Sequence, residues 1–161
     1  MSDSSSESSG SPPTTSDPQH EGHNNTSKTT TTNKEGGVIS TSSFSSLGVN
    51  SELCDACAAL GWTKATAIQA KALPLAIEGR DIIGLAETGS GKTGAFAIPI
   101  LQRLMAEPSR LFAVVLAPTR ELAFQIHEVF SGLGSHVGAK SVCVVGGVDM
   151  MSQVRSKAGR H

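Results

Sequence analysis

The sequence predicts an α/β fold: a parallel sheet that carries helices and follows a disordered tail. Three observations predict it. Short apolar runs alternate with helical patterns in the order α-α-β-α-β-α-β, the signature of a parallel sheet. One of those runs opens into a Gly-rich stretch, AETGSGKT (Ala86 to Thr93), with a helical pattern behind it. The first 43 residues are dominated by Ser and Thr and hold only Met1, Val38 and Ile39 as apolar residues. Such a segment buries too little surface to offset its ordering entropy. About 118 of the 161 residues remain for a folded unit, which is enough for one domain.

The elements follow in order from Phe44. VNSELCDACAALG predicts a short helix capped near Asn50 and stopped by Gly61. ATAIQAKALPLAIEG predicts a helix in which Pro74 starts a new turn and Gly79 ends it. RDIIGLA predicts a turn and then a buried strand through Ile82, Ile83 and Leu85. GAFAIPILQRLM predicts a helix kinked at Pro99. RLFAVVLAPTR predicts a second buried strand, Leu111 to Leu116, broken by Pro118. ELAFQIHEVFSGLG predicts an amphipathic helix with a stripe of Leu122, Ile126, Val129, Phe130 and Leu133, ended by Gly134. KSVCVVGG predicts a third strand running into Gly146 and Gly147. No internal repeat is present. The final VRSKAGRH has neither a helical pattern nor the composition of the tail, and it reads as cut rather than finished.

Charge excludes little. The net charge of −1 divides into −3 for the tail and +2 for the rest, so neither part is basic enough to announce nucleic-acid binding. The three cysteines are too few for a disulfide framework. CDAC, Cys54 and Cys57, has no second pair, and Leu53, Cys57 and Leu60 share a helix face. Small buried thiols are the plainer reading than a metal or redox site. No signal peptide or membrane span is visible, and the expectation is an intracellular, unsecreted protein.

AETGSGKT departs from the phosphate-loop pattern G-x-x-x-x-G-K-[ST] at its first position, Ala86. Gly89 and Gly91 let backbone approach an anion without a Cβ in the way. Successive N–H groups and a helix N-terminus then supply partial positive charge. Lys92 adds a point charge for the β/γ-phosphates, and Thr93 a hydroxyl for Mg²⁺. A chance Gly/Ser turn is the plain alternative, and the flanking strand and helix patterns argue against it. The loop alone does not separate kinase, GTPase, transporter ATPase and helicase.

Three further features gain meaning beside the loop. Gln69, in GWTKATAIQ, lies 23 residues before Lys92. An amide pairs bidentately with adenine N6 and N7, and guanine would be refused. Taken alone, a Gln in a helix is usually solvated surface. APTREL places Thr119 at a helix start and Arg120 in its first turn, which makes an anion site or an ordinary cap with an exposed Arg. Gly146 and Gly147 permit close backbone approach or form a plain turn. All of these loops sit at the C-terminal ends of predicted strands, where open α/β sheets bind ligands. Trp62 reads as core before it reads as a stacking platform. His127, His136 and His161 show no metal-ligand spacing.

These residues resemble the DEAD-box RNA helicases. Phe44, 17 positions before Gly61, with GWTKATAIQ is similar to the family's Q motif. AETGSGKT resembles motif I, whose characteristic first residue is Ala, which accounts for Ala86. PTRELA resembles motif Ia, and Gly146–Gly147 the glycine doublet after it. The resemblance covers about residues 44 to 161, and the wording around EGRDIIGLAETGSGKTGAFAIPIL is similar to a nucleolar subgroup acting in ribosomal RNA processing.

The resemblance implies an incomplete RecA-like P-loop NTPase domain, with ATP and Mg²⁺ as cofactors. It implies that Gln69 reads adenine with Phe44 and Trp62 near the base. Ala86, Thr88, Gly89, Ser90, Gly91, Lys92 and Thr93 would form the phosphate and metal loop, with Lys92 and Thr93 catalytic. Pro118, Thr119, Arg120, Gly146 and Gly147 would hold the RNA backbone with little sequence preference. Ribosome-assembly partners and a nuclear, nucleolar location follow from the subgroup. The chain departs from the family at Ala65, where Pro is usual, and at Ala67. It contains no Asp-Glu-Ala-Asp and no Ser-Ala-Thr. Phosphoryl transfer draws most of its acceleration from such groups. In that fold the strands beside the first come largely from later sequence, so the first strand is expected to be poorly paired.

Two functions from different classes stand at this point. One is the N-terminal part of an ATP-dependent RNA helicase. The other is a non-catalytic nucleotide- or RNA-binding fragment. A small P-loop kinase is disfavoured by PTREL and Gln69.

Overall fold

The computed structural model describes residues 40–147. The expectations for the tail before residue 40 and for VRSKAGRH lie outside the described residues. A short 3₁₀ turn at Ser45–Leu47 leads into four helices: α1 (Ser51–Ala59), α2 (Ala67–Ile77), α3 (Lys92–Ala106) and α4 (Arg120–Val137).

Each helix start is dictated locally. Asn50 Oδ1 accepts from Leu53 N at 3.1 Å and caps α1. Thr66 and Gln69 form a reciprocal capping box at the start of α2. Gly91, in the left-handed region, opens α3, and the Thr119 hydroxyl caps α4. Two ends differ from the expectations. Pro74 lies inside a continuous α2, and its carbonyl still accepts from Glu78 N. Helix α4 runs past Gly134 and stops at Gly138, which adopts φ +72°. Gly134 serves packing instead: a Cβ there would sit 2.8 Å from Ala139 O, where the chain doubles back.

Helix α2 packs on α3, α3 on α4, and α4 on α1, while the 3₁₀ turn rests on α2. The core gathers Phe44, Val49, Leu53, Ala56, Cys57, Ala65, Leu73, Ala97, Ile98, Leu101, Phe130 and Leu133. Phe96 and Phe130 join α3 to α4 with ring centroids 6.1 Å apart. Cys57 belongs to this core. Burial, then the neighbouring Cys54, pushes its thiol up to about 12, which makes it unreactive near neutral pH. Of the stripe expected on α4, Phe130 and Leu133 are buried, Ile126 and Val129 are partly so, and Leu122 is exposed. No helix among the described residues is long and apolar enough to cross a membrane.

The three expected strands are the main correction. The described residues contain no strand; 81–87, 112–117 and 139–145 carry no regular structure. Ile83 is 93% exposed and Leu85 90%, with Leu116 at 89%. An apolar run encodes a preference for burial, but a strand exists only when another strand supplies its hydrogen bonds. The poor pairing expected of the first strand extends to all three.

Candidate functional site

Residues 86–93 fold as the glycines require. Gly89 and Gly91 take φ values of +78° and +90°. A side chain at position 91 is doubly excluded, since its Cβ would lie 2.8 Å from Gln69 Nε2 and 2.9 Å from Thr66 Oγ1. The loop is closed on its own lysine. Lys92 Nζ donates to Ala86 O at 2.6 Å and to Glu87 O at 2.5 Å. An ammonium has three donors and here satisfies two of them with carbonyls that phosphate oxygens can replace. Thr93 follows in the first turn of α3, where the helix dipole favours an anion. Thr88 is exposed at the loop's tip. Ser90 Oγ is buried with no partner, alone in that condition among the described side chains. A buried hydroxyl without a partner is a place for a ligand acceptor.

Gln69 is not surface. It is 3% exposed, and both ends of its amide are engaged. Thr66 N donates to Gln69 Oε1 at 2.9 Å, and Gln69 Nε2 donates to Gly91 O at 3.0 Å. A primary amide has two donors and two acceptor positions. One of each holds the side chain, and one of each is left, the complement that adenine N6 and N7 need. Trp62 is half-buried and packs on the first turn of α3, so a Cβ at Gly94 would lie 2.9 Å from its ring. Phe44 is 4% exposed within the core.

Ala65 stands where the resembling family has proline, and it uses what proline lacks. Its N–H donates to Ser42 O at 3.2 Å, while its carbonyl accepts from Ser40 N at 2.9 Å. Ser40 and Ser42, at the end of the expected tail, are thus tied to the residue before the Thr66 cap.

A second cluster forms at α4. The Thr119 hydroxyl accepts from Leu122 N at 3.2 Å, and its own proton stays free to donate. Arg120 opens the helix, and its guanidinium lies against Gly147, where a Cβ would meet it at 2.6 Å. Gly147 has φ +77°. Pro118 and Gly146 are exposed beside them. The structure thus joins Gln69 to the glycine loop, and Arg120 to the glycine doublet. Sequence reasoning missed the Thr66 capping box, although T-x-x-Q signals it. It also missed Gln102, for which no local signal exists.

Comparison with known proteins gives the family. A family model described as DEAD/DEAH box helicase matches residues 66–160. The "Probable ATP-dependent RNA helicase DDX47" of Homo sapiens is 66% identical over 113 residues, 70% of this chain and 25% of that protein. The "ATP-dependent rRNA helicase rrp3" of Aspergillus oryzae is 61% identical over 111 residues, 69% of this chain and 24% of that protein. Among solved structures, the RNA helicase Prp28 from Chaetomium thermophilum bound to ADP superposes with a TM-score of 0.64 at 35% identity, covering 70% of this chain and 28% of that one. The chain spans about a quarter of the length of the curated relatives it matches. The fold is part of a RecA-like DEAD-box domain, and the helices carry its described portion. With a family model matched over more than half its length, this chain belongs to the DEAD/DEAH box helicases.

Proposed function

We propose that this chain supplies the adenine-nucleotide site and part of the RNA-backbone site of an ATP-dependent RNA helicase acting in ribosomal RNA processing. Residues 44–161 form the first part of its RecA-like domain, and residues 1–43 form a tail. Gln69 reads adenine. Thr88 to Thr93 hold the phosphates, with Lys92 pairing the β/γ oxygens and Thr93 offering its hydroxyl to Mg²⁺. Bound Mg²⁺ would neutralise phosphate charge there. Pro118, Thr119, Arg120, Gly146 and Gly147 face the RNA backbone. The names of the rRNA helicase relatives support a nuclear, nucleolar setting and ribosome-assembly partners.

One observation carries the reading: a buried amide that is bonded to the phosphate loop and retains the donor and acceptor adenine needs. The test is equilibrium binding of ADP and GDP, with Lys92→Ala beside the wild type. ADP should bind more tightly than GDP. Loss of one charge-assisted contact should weaken ADP by about 10- to 100-fold. Equal binding of the two bases, or an unaffected Lys92→Ala variant, overturns the reading.

A non-catalytic binding role for these 161 residues is favoured by the lack of an Asp-Glu-Ala-Asp sequence. RNA-stimulated ATP turnover is expected from a helicase-length protein, and binding without turnover from these residues alone.

A further inference from the structure

Gln102 lies on α3, ten residues beyond Lys92, about 15 Å along the helix at 1.5 Å per residue. It has no place in the motifs above. Its amide nevertheless spans two backbone groups far away in sequence. Gln102 Oε1 accepts from Asn50 N at 2.9 Å, and Gln102 Nε2 donates to Gly48 O at 2.9 Å. Val49, between them, is buried, and Asn50 is also the cap of α1. Gly48 sits at φ +87° against Ile77 of α2. The other end of this segment is tied by Ser40 and Ser42 to Ala65, next to the Thr66 cap that fixes Gln69. Residues 40–50 therefore form a strap between the start of α2 and the distal half of α3.

We infer that Gln102 is a positioning residue for the nucleotide site, setting through this strap where Gln69 stands relative to Lys92. The inference rests on the nucleotide-binding reading above. Helices α2 and α3 are joined directly at the loop by the Gln69–Gly91 bond. The clasp at Gln102 fixes the distal part of α3 to the strap. Without it α3 pivots about the loop, and the base-reading amide shifts against the phosphate anchors. The loop's own geometry, set by its glycines and Lys92, stays intact. The deficit is thus specific to ligands that carry the base.

The experiment is calorimetric titration of the 161-residue chain with ADP and, separately, with inorganic tripolyphosphate, both with Mg²⁺. Wild type, Gln102→Met and Gln102→Ala are compared; Met keeps the volume and the fold where Ala fails to. The expected result is about tenfold weaker ADP binding, as for two lost hydrogen bonds, with tripolyphosphate affinity unchanged. Equal weakening of both ligands, or a reduced binding-competent fraction at unchanged affinity, shows a merely structural tether and overturns the inference. Unchanged affinity for both ligands overturns it as well. A wild type that binds tripolyphosphate but not ADP defeats the adenine reading itself, and the inference with it, and is distinguishable because it needs no variant.

Discussion

Replacing Gln69 by Ala is the most informative single change. The side chain is 3% exposed, so water does not fill its place freely. Its loss strands Thr66 N, which now has a 2.9 Å bond to it, whereas Gly91 O keeps the bond it accepts from Ala95 N at 3.2 Å. A stranded buried group costs about 1–3 kcal/mol. The residual cavity adds about 1 kcal/mol. A total of about 2–4 kcal/mol is a large part of a typical domain's 5–15 kcal/mol. Urea unfolding followed by the fluorescence of Trp62, the chain's single tryptophan, reads the loss as a lower midpoint at unchanged slope. A double-mutant cycle with Thr66→Ala should show coupling of about 1 kcal/mol, since the two side chains form one capping box. Adenine preference should vanish in the same variant. A stability loss under about 0.5 kcal/mol with normal ADP preference would refute the account of this amide as both strut and reader.

Three further outcomes follow from the same geometry. Ala65→Pro restores the residue usual in the family but removes the N–H donated to Ser42 O; the expected loss is about 1 kcal/mol, and a rise in the melting temperature would contradict it. Gly147→Ala drives a Cβ to 2.6 Å from the Arg120 guanidinium at φ +77°, so RNA affinity should fall several-fold with a shallower salt dependence; an unchanged salt slope across a binding titration counts against an Arg120–phosphate contact. Glu52, in the first turn of α1, is held below its ordinary 4.5 by its own backbone N–H, then by Ser51. Its folded pKa is depressed, so its stabilisation is full above that unfolded value and is lost as pH falls through the folded pKa. Glu52→Gln should therefore flatten the acid limb of a melting-temperature profile below about pH 4.5 and leave pH 7 behaviour governed by other groups.

Much of the site was legible because its determinants are short-range. Gly89, Gly91, Lys92 and Thr93 act within one turn of chain, and Asn50 and Thr119 cap the helices they precede. The burial of Gln69 was not legible. An amide in a helical pattern reads as surface, and only the approach of Gly91 O reveals its second partner. Gln102 was equally silent, since its partners stand more than fifty residues away. Gly134 misled for the opposite reason: glycine ends helices often, but here it gives way to Ala139, and Gly138 ends the helix.

The sequence by itself determined the family, the helix starts and the turn of the glycine loop, because caps, glycine torsions and motif spacing are local properties of the chain. The tertiary structure alone decided that Gln69 is a strut, that residues 40–50 strap α2 to α3, and that Ile83, Leu85 and Leu116 remain outside a sheet. Pairing is the physical reason. A helix closes its hydrogen bonds within its own segment, whereas a strand or a buried amide is completed only by groups that the rest of the fold brings to it.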